Sequence, residues 1–129
     1  MTSLLDSDRT IDYLTGMPAI RELVDRLRID GIAISVMTYA EVYEGVLFNR
    51  FRTSADGEWA QFLTGVLILP HAVSTARRFA AVRGSLRATG TLIPDADIWI
   101  AATALEHDLT LVTGNRRHFE RVPGLRILG

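Results

Sequence analysis

Four acidic or amide side chains lie far apart in the 129-residue chain, each beside a short apolar run. Asp6 follows Leu4-Leu5, Glu41 closes Ser35-Val36-Met37-Thr38-Tyr39-Ala40, Asp97 precedes Ile98-Trp99-Ile100-Ala101-Ala102, and Asn115 ends Leu111-Val112-Thr113-Gly114. In an open parallel α/β sheet, ligands bind in the crevice beyond the carboxyl ends of the strands, where residues distant in sequence meet. Carboxylates gathered there repel one another unless a cation joins them. Oxygen ligands of this kind suit Mg2+ or Mn2+. The pattern points to metal-dependent chemistry on a phosphate.

Each residue also has a simpler reading. Asp6-Ser7-Asp8 is a strand-to-helix turn in which Ser7 or Asp8 can cap the helix. Thr38 and Glu41 fit a capping box, with Thr38 as N-cap. Asp95 and Asp97 open a helix, where acids favour the positive dipole end. That helix is apolar nearly all round and is therefore expected to be buried. Asp97 is chosen as the ligand and Asp95 as a cap or support. Thr113-Gly114-Asn115 is a turn by composition. His118 is a lone histidine with no role assigned.

The elements that must position these residues follow from periodicity. Strands are expected at 2–5, 32–34, 66–69, 109–113 and 125–128. Helices are expected at 18–28, with Pro18 at the start, and at 38–48, 55–64, 72–88 and 95–107. Val66-Leu67-Ile68-Leu69, closed by Pro70, reads as a buried strand. Asp30-Gly31 makes a turn, and Gly90 ends the Ala-rich helix. Phe48, Phe51, Trp59 and Phe62 fit core or interface positions. Strands alternating with helices imply right-handed βαβ units and a parallel sheet covered on both faces.

The chain is long enough for one domain with one ordinary core, expected over 1–129. It has no cysteine, hence no disulfide or thiolate metal site. Neither a signal sequence nor an apolar run of membrane length is expected, which implies a soluble cytoplasmic protein without membrane attachment. The net charge of −1 argues against a simple nucleic-acid binder. The charge is unevenly spread, however: residues 1–70 carry 6 Arg and 10 acids, whereas residues 71–129 carry 8 Arg and 5 acids. All 14 basic residues are Arg, each a planar fork suited to phosphate oxygens. Arg87, on a helix stripe with Arg77, Arg78 and Arg83, and Arg116 with Arg117, are the candidate contacts to a phosphate backbone. The simpler reading of both groups is a solvated surface.

In combination these pieces resemble the PIN-domain ribonucleases, specifically the VapC-type toxins of toxin–antitoxin pairs. The carrying residues are Leu4-Leu5-Asp6-Ser7-Asp8 with Ile11 and Leu14; Ile34-Ser35 through Thr38 to Glu41 and Gly45; Leu86-Arg87 with Gly90; Asp97 through Ala102; Leu111-Val112-Thr113 with Asn115; and His118-Phe119 with Leu125-Arg126-Ile127-Leu128. The resemblance spans nearly the whole chain. It implies a three-layer α/β/α sandwich with a central parallel sheet. It also implies a Mg2+- or Mn2+-dependent endoribonuclease that uses a metal-activated water, forms a homodimer and is neutralised by a cognate VapB-type antitoxin. Asp6, Glu41 and Asp97 match the family's acidic positions and would hold the metal. Asn115 matches the fourth position, where many members carry Asp; Ser7 and Asp8 replace the commoner Thr and Asn.

Two other readings compete with this one. Asp6-Ser7-Asp8-Arg9-Thr10 fits the opening motif of haloacid-dehalogenase-type phosphatases, with Asp6 as nucleophile and Asp8 as general acid. That family normally has a longer chain with a cap and a later Lys or Arg motif, and it gives Glu41 no role. A phospho-receiver reading fails because its usual Lys is absent. The other competitor is a non-catalytic PIN fold kept for partner binding.

Overall fold

The computed structural model describes residues 2–129; Met1, the first residue of the expected domain, lies outside the described residues. Strand β1 (Ser3–Leu5) leads into α1 (Ser7–Leu14) and α2 (Pro18–Leu27). A 3-10 turn, Arg28–Asp30, ends at Gly31, whose φ of 82° explains the glycine there. The chain continues through β2 (Ile32–Ser35), α3 (Val36–Leu47), α4 (Arg52–Leu63), β3 (Val66–Leu69), α5 (Val73–Ala88), α6 (Asp95–Glu106), β4 (Thr110–Val112), α7 (Arg116–Phe119) and β5 (Ile127–Leu128).

All strand pairs are parallel, in the order β3-β2-β1-β4-β5. The chain steps from β1 to one side of the sheet, then crosses back to place β4 against the free side of β1. This reversal opens the crevice in which such folds bind ligands. Helices cover both faces, giving the expected three layers. Leu4, Ala33 and Leu111 pack against Leu86, Ile98, Ala101 and Phe119 on one face. Leu5, Ile34 and Val112 pack against Val24, Val42, Trp59 and Phe62 on the other. The alternation of Leu4 and Leu5 between the two cores is the period-two geometry of a strand buried on both faces.

Several expectations need correction. β3 is not a buried strand: it is the sheet edge, and Leu67 is 50% exposed. A continuous apolar run does not distinguish an edge from a centre, because strand order is set by the crossovers. Trp59 and Phe62 are core residues, stacked with ring centroids 5.6 Å apart. Phe48 and Phe51 are not, being 80% and 67% exposed. They flank the α3–α4 turn, where local apolarity has no helical register to turn it inward. Among the described residues, no helix is long and apolar enough to cross a membrane.

Candidate active site

The carboxyl ends of β1 and β4 lie side by side, with Leu5 paired to Val112. Each strand delivers a polar residue directly beyond its last apolar one. Asp6 follows β1 and is itself the N-cap of α1, so neither Ser7 nor Asp8 caps that helix. Its Oδ1 accepts from the Ser7 N–H at 2.7 Å, and its Oδ2 accepts from the Thr113 hydroxyl at 2.7 Å. Thr113 Oγ1 also accepts from the Asn115 N–H at 2.9 Å. The 113–115 turn is thereby bound to Asp6.

Asp6 is buried, and burial pushes its carboxyl up from 3.8 to about 7. The hydrogen bond from Thr113 opposes the shift, the charge of Asp8 adds to it, the Ser7 N–H again opposes it, and Asp97 adds a smaller push. Two donors are therefore insufficient to hold the charge in this environment. Asp8 is oriented by the Gly114 N–H, which donates to Oδ2 at 3.0 Å, while Oδ1 is buried without a partner. The Oδ2 contact gives Asp8 a supporting role on the 113–115 turn.

Glu41 reaches the same region through a bridge. The Ser7 hydroxyl contacts Glu41 Oε1 at 2.7 Å and Thr38 Oγ1 at 3.1 Å. The capping box expected at Thr38 and Glu41 does not form. Ser35 is the N-cap of α3, and its Oγ accepts from the Thr38 N–H at 3.0 Å. The helix begins two residues earlier than the sequence suggests because Ser35, an equally good cap, ends β2. Glu41 thus lies a further turn along α3, exposed and free of capping duty.

Asp97 sits in the first turn of α6, with Oδ2 2.7 Å from His118 Nδ1. The same nitrogen lies 2.9 Å from the Asn115 amide nitrogen. One Nδ1 cannot both donate to the carboxylate and accept from the amide. The 2.7 Å contact to a carboxylate requires Nδ1–H, so the Asn115 amide is best turned with its oxygen toward the ring. His118 is the functional-site residue that sequence reasoning missed. Its spacing of three from Asn115, within one helical turn, was the available signal. Asp95 does not cap α6; it pairs with Arg83 Nε at 3.1 Å on α5. Arg87 and Arg117 are exposed, and Arg116 is exposed beside Glu120 at 3.7 Å.

A PIN domain model matches residues 4–125. Ribonuclease VapC2 of Haemophilus influenzae is 35% identical over 125 residues, covering 95% of this chain and 93% of that protein. The chain belongs to the PIN-domain family, in its VapC branch. Ribonuclease VapC10 of Mycobacterium tuberculosis is 36% identical over 117 residues, with 90% and 84% covered. In three dimensions the PIN domain superposes on VapBC2 from Rickettsia felis, crystallised with a promoter DNA fragment, with a TM-score of 0.92. Identity there is 25%, with 99% and 98% of the chains covered. The DNA-bound VapBC of Salmonella typhimurium gives the same TM-score at 28% identity, with 99% and 97% covered.

The donor set fits a hard divalent cation. Among the described residues, no three His, Asp or Glu groups stand close enough to enclose a metal by themselves. The expected trio is therefore looser than a closed ligand set. Mg2+ tolerates this, because it keeps several waters and takes one or two carboxylates together with substrate phosphate. A buried Asp6 repelled by two neighbouring carboxylates, with an unpartnered Asp8 oxygen beside it, is an environment short of positive charge.

Asn115 makes this deficit smaller than an Asp would. Asn115→Asp is expected to lower the Mg2+ concentration for half-maximal cleavage by about tenfold, since ligand charge count tunes such sites. A metal titration of RNA cleavage checks this; an unchanged midpoint would leave Asn115 as a turn residue that only orients His118.

Proposed function

We propose that the chain, acting as a single PIN domain over 1–129, is a divalent-metal-dependent endoribonuclease toxin of the cytoplasm. It hydrolyses RNA phosphodiester bonds and is neutralised by a VapB-type antitoxin. The observation that carries the reading is the meeting of Asp6, Asp97 and the Thr113–Asn115 turn at the carboxyl ends of β1 and β4. Support also comes from the names of the relatives, which are ribonucleases, and from the VapBC complexes that the fold matches.

In this reading Asp6 and Asp97 would hold Mg2+ or Mn2+, and Glu41 would be available for a second ion. When bound, such an ion supplies neutralisation of phosphate charge and a more acidic water. The protein residues do the positioning. Thr113 and the Ser7 N–H fix both oxygens of Asp6, so the carboxylate cannot rotate. His118 holds one oxygen of Asp97 and leaves the other for the site. The Ser7 hydroxyl holds Glu41 toward the segment that follows β1. No side chain need act as nucleophile. The phosphatase alternative gives Glu41 no role, whereas here the Ser7 hydroxyl joins Glu41 to the segment that carries Asp6.

Sequencing RNA ends after brief induction in cells tests the activity and identifies its target. New ends that appear equally with Asp97→Asn would overturn the reading. Coexpression with the cognate antitoxin should suppress the cuts, and the oligomeric state in solution tests the homodimer.

The Arg-rich C-terminal half should carry the RNA surface. Replacing Arg87, Arg116 or Arg117 by Ala is expected to weaken RNA binding. The slope of log K against log salt should shrink by about 0.7 for every single-strand phosphate no longer neutralised. Of the three, Arg116 should matter least, because Glu120 already competes for its charge. Salt slopes identical to the wild type in all three variants would mark these residues as solvated surface.

A further inference from the structure

Arg9 follows the Asp6-Ser7-Asp8 segment on α1, and neither the metal site nor the RNA surface described above uses it. Its side chain is only 19% exposed, and NH1 is tethered to Asp12 at 3.1 Å. Its Nε is buried without a partner. The Asp12 contact therefore satisfies one end of the guanidinium, while Nε has given up water without a hydrogen bond in return.

Gly114 explains the location. A Cβ at Gly114 would lie 3.1 Å from Arg9 Cζ and 3.2 Å from both NH1 and NH2. Nearly equal distances to the carbon and two nitrogens place that point over the guanidinium plane, not at its edge. The planar face of Arg9 therefore covers the space in which a Gly114 side chain would stand. Gly114 is not among the positive-φ glycines, so its conformation does not demand glycine. A side chain there would instead press on the Arg9 guanidinium and force it to give by a few tenths of an ångström.

The turn that Arg9 covers is the one that organises the site. Its Thr113 hydroxyl holds Asp6, its Gly114 N–H holds Asp8, and its Asn115 side chain meets His118. We propose that Arg9 is a positioning residue: its guanidinium face, braced by Asp12, clamps the 113–115 turn through Gly114 and so fixes Thr113 and Asn115. The role depends on a flat group of this size. Lys would keep the charge but offers a compact ammonium on a flexible stem. The proposal rests on the ribonuclease reading only for its catalytic consequence.

The test uses the full chain and four variants: Arg9→Ala, Arg9→Lys, Gly114→Val and the double variant Arg9→Ala/Gly114→Val. Amide hydrogen exchange in the metal-free protein reports the clamp independently of activity. The Gly114 and Asn115 amides should exchange about tenfold faster in each single variant, with β2 amides unchanged. On an RNA that the wild type cleaves, kcat should fall about 10- to 100-fold, since small misplacements near the chemistry have effects of that size. KM should stay within about twofold. The double variant should fall no further than the worse single one, because both changes remove the same interaction.

Additive effects, or wild-type behaviour of Arg9→Lys, would overturn the clamp. Unchanged exchange with a raised KM would also overturn it, by showing that Arg9 touches RNA directly. If the wild type cleaves no RNA, the ribonuclease reading fails while the exchange data still decide the clamp.

Discussion

Asp6→Asn is expected to abolish RNA cleavage in the presence of Mg2+ and, in the metal-free protein, to raise stability at pH 8. The gain is on the order of 4 kcal/mol, since each tenfold change in acidity is worth about 1.4 kcal/mol. The carboxyl has been moved from 3.8 to about 7, chiefly by burial. Between these values the folded protein keeps a proton that the unfolded chain has released. Stability therefore falls as pH rises from about 4 to about 7 and levels off above that. The Asn variant lacks this slope, so the two proteins should converge in stability near pH 4 and diverge toward pH 8. The substitution is tolerated sterically because the Ser7 N–H still finds an amide oxygen, while the Thr113 hydroxyl can rotate to accept from the new NH2. Added Mg2+ should stabilise the wild type at pH 8 and leave the variant unmoved, by mass action on the folded state. Urea melts across this pH range, with and without Mg2+, measure all of this. A stability difference independent of pH would mean that Asp6 is not the buried, charge-strained group.

The contrast between Asp6 and Asp95 shows what the sequence could tell. Both are acids near a helix start, and composition alone gives them similar roles. Asp6 follows an apolar run that proves to be the central strand, so its carboxylate is buried where β1 and β4 meet. Asp95 opens α6 on its exposed side and finds Arg83 instead. Element order was legible because apolar runs and helical periodicities alternate. Strand order was not, since Val66–Leu69 reads like Ile32–Ser35 although one is an edge and the other lies inside. The same limit applies to caps: Ser35 and Thr38 are both competent, and only the length of β2 chooses between them.

The polar network was the least legible part. Asp6, Asp97 and Asn115 were identifiable as residues beside apolar runs, but the contacts joining them depend on side chains with no pattern of their own. Thr113 resembles a strand residue, Ser7 a cap and Arg9 a surface charge. Each finds its partner on a distant segment: Thr113 binds Asp6, Ser7 binds Glu41 and Arg9 faces Gly114. Residues that act through another side chain are recognised by what they touch, which one chain read in isolation does not supply.

His118 is the sharpest case, and its replacement is the second large effect expected. His118→Ala should weaken Mg2+ binding and cleavage together by about 10- to 100-fold, the usual consequence of losing a partner that orients a metal ligand. The 2.7 Å bond from Nδ1 fixes Asp97 Oδ2 and, with it, the direction of Oδ1. Without the imidazole, the carboxylate turns freely in the first turn of α6. His118→Asn makes the role specific, because an asparagine amide can place a donor near the position of Nδ1. If orientation is the function, the Asn variant should recover most of the metal affinity and most of the rate. If His118 instead transfers a proton, Asn should restore Mg2+ affinity without restoring the rate. Calorimetric Mg2+ binding and single-turnover cleavage, measured on the wild type and both variants, separate these outcomes. Equal Mg2+ affinity in the wild type and His118→Ala would show that the bond to Asp97 has no part in holding the ion.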